Sequence, residues 1–203
     1  LPILKLSGGT FSVSGALTIT GLATSRVTVR PFTVSSGAEP TDITYVQTTF
    51  SVGSISSLSY VNFANVTASG ATPWTGTALG NLTGNNNITF PAGVNKFVVN
   101  NSGSVGVAGA IWATTSGGTG SSANFPLPQD NIVIDNKSSN SGSTTLNGNG
   151  PIYASGFVVQ PTLVNSVTIN ANALYLTGNF NSATTVSDGI TFSNTAIILL
   201  NSS

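Results

Sequence analysis

Residues 167–169 read Val-Thr-Ile, and units of the same kind return along the whole chain. In each unit a Thr or Val separates two apolar residues, a spacing that places alternate side chains on opposite faces of a β-strand. β-Branched residues and Phe favour strands. Nowhere do apolar residues recur at helical spacing, so the sequence predicts an all-β protein. The other clear units are Val27-Thr28-Val29, Ile88-Thr89-Phe90, Ile132-Val133-Ile134 and Ile190-Thr191-Phe192.

The composition excludes several kinds of site. Of 203 residues, 101 are Ser, Thr, Asn or Gly, and the chain contains no Cys and no His. It therefore lacks the ligands of an ordinary zinc site, a disulfide framework, a thiol nucleophile and a Ser-His-Asp triad. Five Lys plus Arg against five Asp plus Glu give no net charge, and hence no electrostatic footprint for nucleic acid. A hydrophobic fraction of 39% is enough to fold.

Two β architectures fit the short units and the turn-forming clusters between them. One is a β-solenoid, similar to a parallel β-helix, and the other is a β-sandwich or jelly roll. The solenoid is favoured because the units resemble one another and because Ser, Thr and Asn fill alternate positions, where they would form ladders between stacked strands. No fixed repeat length is visible in the sequence.

Composition divides the chain into three parts. Residues 1–108 and 131–203 are β-rich, and residues 109–130 form a junction rich in Gly, Ser and Pro. Pro126 and Pro128 rule out a central strand in the junction. We expect either one continuous solenoid with a linker-like crossing or two stacked modules.

The ends of the chain carry little targeting information. The longest apolar run, at residues 196–200, is far shorter than the ~20 residues of a membrane span. No signal peptide is visible. The first residue is Leu1 rather than Met, so we expect a processed chain or a piece of a longer one.

The junction also carries a resemblance to a known group of proteins. Residues 112–118 (Trp-Ala-Thr-Thr-Ser-Gly-Gly) and 126–135 (Pro-Leu-Pro-Gln-Asp-Asn-Ile-Val-Ile-Asp) resemble a segment that recurs in repeat-rich structural proteins of tailed bacteriophages. Residues 15–29, and residues 58–63 with 71–76, are similar in style to the same group and to some secreted bacterial surface proteins. The resemblance implies a β-helical tail fibre, tailspike or decoration protein. It implies no catalytic residue.

Few residues could carry out acid–base chemistry or hold a metal ion. The acidic residues fit turns and strand ends better than the facing carboxylate pair of a glycoside hydrolase. We expect no catalytic residue, no metal ion and no cofactor. Asn147-Gly148-Asn149-Gly150 has oxygen donors but no charge to hold calcium. The full set of acidic residues is Glu39, Asp42, Asp130, Asp135 and Asp188.

Trp74 and Trp112 are the candidate contact residues. Each lies in a Gly- and Thr-rich stretch, and an exposed indole ring can stack on a sugar or anchor an interface. The other interpretation is that each ring plugs the end of a layer of strands or a seam between layers.

The function we expect is that of a non-enzymatic structural protein of a phage virion, a fibre, spike or decoration module located in the virion or outside the cell. Its partners would be copies of itself and other virion proteins, with a host-surface glycan as a further contact, and neither nucleic acid nor a membrane span. The alternative is a self-assembling subunit of a secreted filament or adhesin that uses residues 1–6 or 196–200 as a donated strand or its groove. A carbohydrate-cleaving spike is a third interpretation.

Overall fold

The computed structural model describes residues 2–7, 9–32, 47–100, 103–106, 108–138, 142–148, 151–160, 165–171, 173–182, 189–193 and 195–199. It divides into two compact units, Leu1–Pro91 and Ala92–Ser203. The described residues form strands, turns and one single-turn 3₁₀ helix at Ser122–Asn124, with no α-helix among them. The all-β prediction is confirmed.

The described residues of the first unit form two sheets. Sheet A has the order β1-β3-β5-β7, and sheet B has the order β2-β4-β6. Every described strand pair in the unit is parallel. The strands are β1 (Ile3–Ser7), β2 (Gly9–Thr20), β3 (Val27–Phe32), β4 (Thr48–Ser59), β5 (Val61–Ala64), β6 (Val66–Gly70) and β7 (Gly80–Thr83).

Successive passes of the chain return to the same place at a constant spacing in the later part of this unit. Thr48 pairs with Val66, Asn62 pairs with Gly80, and Ser59 bridges Thr77, so the two partners are equally far apart in the sequence in all three cases. Earlier passes are longer, since Ile3 pairs with Thr28 and Val27 with Val61. Within the pairing of β2 with β4 the register also shifts, between Val13 and Ala16 and between Leu17 and Thr18.

Left-handed backbone at equivalent corners allows the chain to turn from one strand to the next. Tyr60 and Ala78, which are separated by the same spacing as those strand partners, have φ of 54° and 50°. At the next corner Asn65 has a φ of 54° and Gly84 a φ of 63°. Gly and Asn adopt this conformation more readily than other residues.

In the second unit, the part of the chain that the structure describes forms three sheets. Their orders are β10-β8-β11-β14-β17 in sheet C, β18-β15-β12-β9 in sheet D and β13-β16-β19 in sheet E. Each described pair is parallel except β8 with β10. The strands are β8 (Asn95–Val98), β9 (Gly103–Gly106), β10 (Trp112–Ala113), β11 (Asn131–Ile134), β12 (Thr144–Asn147), β13 (Ile152–Ala154), β14 (Gly156–Val159), β15 (Val167–Asn170), β16 (Ala173–Leu176), β17 (Phe180–Ser182), β18 (Ile190–Phe192) and β19 (Ala196–Leu199).

One sequence spacing relates the last passes of the chain in all three sheets of the second unit. Phe157 pairs with Phe180 in sheet C, Val167 with Ile190 in sheet D, and Ala173 with Ala196 in sheet E. The same separation, |i−j| = 23, joins Asn147 to Asn170 in sheet D. Each of the passes that begin at β11, β14 and β17 therefore contributes one strand to each sheet, in the chain order C, D, E. Such parallel sheets are consistent with a β-helix-like fold.

Each unit has its own apolar core. In the first, Phe50, Phe63 and Trp74 are at most 1% exposed and make edge-to-face ring contacts at 5.2 and 6.0 Å. In the second, the buried cluster is mainly aliphatic and also contains Trp112 and Phe157, and Phe157 stacks on Phe180 at 5.4 Å. Leu174 and Leu176 of β16 are fully buried and belong to the same core.

The described pairing differs from that of a β-sandwich or jelly roll, which is built mainly from antiparallel strands. The structure also places the division between units at residues 91 and 92, ahead of the junction at 109–130. Each sheet contains strands of one unit alone. Residues 109–130 belong to the second unit, where they contribute β10 and the 3₁₀ helix.

Candidate functional site

Sheet D presents a regular row of small polar side chains, which we call the hydroxyl–amide face. Its residues alternate along the strands with inward-facing Leu146 and Ile169, which are 1% and 2% exposed. Because side chains alternate across a strand, the residues between them point away from the core. The hydroxyl–amide face consists of Ser143, Thr145 and Asn147, of Ser166, Thr168 and Asn170, and of Thr191.

Hydrogen bonds connect equivalent side chains of this face from strand to strand. The Ser166 hydroxyl donates to the Ser143 hydroxyl at 2.8 Å, and Asn170 Nδ2 donates to Asn147 Oδ1 at 2.8 Å. Between these two columns, Thr145, Thr168 and Thr191 lie side by side in register. Parallel strands are spaced by about 4.8 Å, so each column is a ladder with that repeat.

The side chains of the hydroxyl–amide face can form hydrogen bonds with a partner, but none of them is an acid or base that transfers protons near neutral pH. All of its members are uncharged hydroxyl or amide side chains that both donate and accept hydrogen bonds. A partner that binds here would do so through neutral hydrogen bonds and shape, without the desolvation of paired charges. In sheet E, Tyr153 and Tyr175 stack with ring centroids 5.0 Å apart, and Tyr175 is buried.

Trp74 lies inside the first unit. Its side chain is 0% exposed and packs against Phe50 and Phe63. The indole Nε1 is buried and has no hydrogen-bond partner. A ring with no face in solvent cannot stack on a sugar, so the structure places Trp74 in the core and not at a contact surface.

Trp112 is also a packing residue. It is 1% exposed and makes an edge-to-face contact with Phe125 at 5.8 Å. Its position in the core of the second unit agrees with the plug interpretation and leaves no exposed ring face for a glycan. Trp74 and Trp112, the two predicted surface or receptor contacts, are therefore both buried.

Asp130 is a structural carboxylate. It is fully buried, and its Oδ1 and Oδ2 accept hydrogen bonds from the backbone N–H groups of Val94 and Leu127, both at 2.9 Å. Lys96 Nζ lies 4.0 Å from Oδ2. Each carboxylate oxygen therefore accepts a hydrogen bond from the backbone, and Asp130 joins two segments of the second unit.

Asp135 ends strand β11 and closes a turn. Its Oδ1 accepts from the backbone N–H of Lys137 at 2.8 Å, and its own N–H donates to the Ser138 hydroxyl at 3.0 Å. That hydroxyl donates in turn to the Val98 carbonyl at 2.8 Å. Asp135 Oδ2 is buried without a hydrogen-bond partner.

The remaining acidic residues, Glu39, Asp42 and Asp188, lie outside the described residues, as do Asn149 and Gly150 of the amide-rich loop. Within the described ranges, no group of three or more His, Cys, Asp and Glu side chains is placed to hold a metal ion. The part of the chain that the structure describes has no helix with the length and apolar content needed to cross a bilayer.

Arg26 is a buried cation that binds backbone and amide oxygens of the first unit. Its Nε donates to Asn62 Oδ1 at 2.6 Å, and its guanidinium also donates to the carbonyls of Val61 and Ala78. These acceptors belong to two successive passes of the chain, so the side chain ties those passes together. It is 4% exposed and is therefore not available to a surface ligand.

The terminal segments suggested as donated strands are paired within the chain. Residues 3–7 form β1, which pairs with β3, and residues 196–199 form β19, which pairs with β16. β1 and β2 each have one described neighbour. Ile3, Leu4 and Phe11 on them are 40%, 38% and 41% exposed.

The sequence predicts ladders of Ser, Thr and Asn between stacked strands but does not locate them in sheet D, although a signal for that location is present. Residues 143–147 read Ser-Thr-Thr-Leu-Asn, residues 166–170 read Ser-Val-Thr-Ile-Asn, and residues 189–193 read Gly-Ile-Thr-Phe-Ser. The three segments follow one another at the spacing of the strand partners and share polar residues at alternate positions. Aligning the segments on their central Thr would have revealed the repeat.

No known protein family, no curated protein and no solved structure matches this chain.

Proposed function

We propose that the chain is a β-solenoid that serves as a non-enzymatic structural protein of a phage virion, as a fibre, spike or decoration module. The observation that supports this most is the constant spacing that recurs in three parallel sheets of the second unit. A chain that returns to each sheet at a constant spacing forms a stack, which can be lengthened by adding passes. Stacks of this kind are suited to building rigid, elongated parts.

The surface chemistry supports a role in assembly and contact. The hydroxyl–amide face carries no charge, so another copy, another virion protein or a neutral glycan can approach it without desolvating ions. The described carboxylates Asp130 and Asp135 form backbone hydrogen bonds that stabilise turns. The virion itself is proposed from the resemblance of residues 112–118 and 126–135 to phage structural proteins.

Immunogold electron microscopy tests this proposal. An antibody raised against the chain is applied to phage particles and to cell-attached filaments purified from the same culture. We expect gold on the particles at a fixed position, and a cryo-EM map of that position should contain the stacked parallel strands. Gold on cellular filaments but not on particles would overturn the proposal.

A secreted filament or adhesin is the second candidate. The observation that favours it is the exposed apolar surface on β1 and β2, which an additional strand from another subunit would cover. The same micrographs separate the two candidates, because the second predicts label along filaments that extend from cells.

A further inference from the structure

Residues 109–130 occupy a special place in the second unit. The later passes of the chain contribute one strand each to sheets C, D and E, whereas the described residues of the first pass form β8 and β9 before the chain reaches residue 109. Residues 109–130 follow β9 at the point where a strand of sheet E would be expected, and they return to sheet C. This segment contains part of the sequence that resembles phage proteins, but its structural role can be argued without the virion assignment.

The returning segment covers the edge of sheet C. Strand β10 pairs antiparallel with β8, through Trp112 with Val98 and Ala113 with Phe97. The Val99 N–H also donates to the Ile111 carbonyl at 2.8 Å. An uncovered edge strand is a template for strands of other chains, whereas a very short edge strand gives them little to pair with. β10 has only two residues.

The outer side of β10 is itself partly closed by hydrogen bonds of the same segment. The Trp112 carbonyl accepts from the Ser121 N–H at 2.9 Å and from Asn124 Nδ2 at 3.2 Å. These donors take the place of those that an incoming strand would supply at this position. Gly120 packs so closely against the Ala110 carbonyl that a Cβ would lie 2.1 Å from its oxygen.

Both ends of the segment are anchored. Buried Trp112 packs on Phe125 in the core of the unit. At the other end, Asp130 connects the turn at Leu127 to Val94, just before β8. The segment is therefore held in place by packing as well as by pairing.

We propose that residues 109–130 are a cap that occupies the β8 edge of sheet C and prevents a strand of another polypeptide from pairing there. The inference rests on the stacked parallel strands and not on the virion assignment, so it stands or fails independently of the immunogold result. It assigns the Trp112–Phe125 contact as the anchor of the cap.

Trp112→Ala in the full chain tests the cap, and Trp74→Ala is the matched control. Both variants remove a buried indole that contacts Phe rings, but only the first loosens β10. Sedimentation velocity under native conditions should show a several-fold larger associated fraction for Trp112→Ala than for the unaltered chain, with no such rise for Trp74→Ala. Hydrogen exchange at residues 95–98 should slow on association, because the new strand protects that edge.

An unchanged size distribution for folded Trp112→Ala would overturn the proposal, as would equal association of both variants. If Trp112→Ala does not fold, Asn124→Ala provides the decision, because it removes one hydrogen bond to the Trp112 carbonyl and leaves the indole in place. We expect a smaller rise in association for that variant, and no rise would contradict the cap.

Discussion

At the scale of single residues, close contacts with the backbone decide which glycines can be replaced by a residue with a β-carbon. Gly70 has a φ of 76°, and a Cβ at this position would lie 2.1 Å from the Val52 carbonyl oxygen. Gly15, in contrast, has nothing within 4 Å of where its Cβ would be. The backbone at Gly70 therefore requires glycine, whereas the backbone at Gly15 has room for a side chain.

We expect Gly70→Ala to lower the free energy of unfolding by at least about 2 kcal/mol, since left-handed backbone alone costs a residue with a β-carbon roughly 1–2 kcal/mol. Gly15→Ala, the control, should change it by no more than about 0.5 kcal/mol. Urea unfolding measures both. Equal effects of the two substitutions would show that the close approach at Gly70 is absent.

Asp130 is a second residue whose role depends on its buried partners. An amide in its place can accept from only one of the Val94 and Leu127 N–H groups through its single oxygen. We expect Asp130→Asn to destabilise the chain by about 1–3 kcal/mol, because a partly buried donor is left without a partner.

The control for Asp130 is Lys137→Gln, which removes a charge from an exposed turn nearby. We expect a change within about 0.5 kcal/mol for that variant in the same urea titration. A stability unaffected by Asp130→Asn would mean that the two backbone hydrogen bonds do not hold the turn.

At the scale of strands, alternation decides which substitutions matter. In β15, Ile169 faces the core and Thr168 lies on the hydroxyl–amide face. We expect Ile169→Ala to cost about 2–5 kcal/mol and Thr168→Ala less than about 1 kcal/mol. The difference in urea midpoint between the two variants measures this. A reversed order would place the strand in the opposite register.

Most strand units could be predicted because their signal is local, but Ile88-Thr89-Phe90 lies outside the strands, and its Ile88 forms an isolated bridge with Trp74. Units such as Val167-Thr168-Ile169 and Ile132-Val133-Ile134 each lie in a strand of the structure. Parallel pairing and the constant spacing depend on partners that are distant in the sequence, and insertions before β11 and β12 lengthen the earlier passes. Those insertions obscured the repeat.

Trp74 and Trp112 show why the candidate site was harder to predict. Their Gly- and Thr-rich surroundings are typical of exposed loops, yet both rings are buried by residues far away in the sequence. Phe50, for example, covers Trp74 from strand β4, which lies well before it in the chain. Such burial is a property of tertiary packing that a local pattern does not contain.

At the scale of the whole molecule, the two units have separate clusters of buried apolar residues. Regions with their own cores open and close as separate cooperative units. We expect Phe63→Ala to speed hydrogen exchange mainly within residues 1–91, and Leu174→Ala to speed it mainly within residues 92–203. Mass spectrometry of peptic fragments measures both patterns. Faster exchange across both ranges in either variant would show that the units unfold together.

The central claim is that successive passes of the second unit stack in register, so that residues far apart in the sequence lie side by side. The chain has no Cys, so a pair introduced at Thr145 and Thr168 can be joined by a short thiol-reactive crosslinker without background. We predict rapid intramolecular crosslinking of this pair, because these residues are register partners on the hydroxyl–amide face. A control pair at Thr145 and Ile169, on opposite faces, should remain unlinked. Equal yields for the two pairs, or none for the first, would contradict the stacked arrangement.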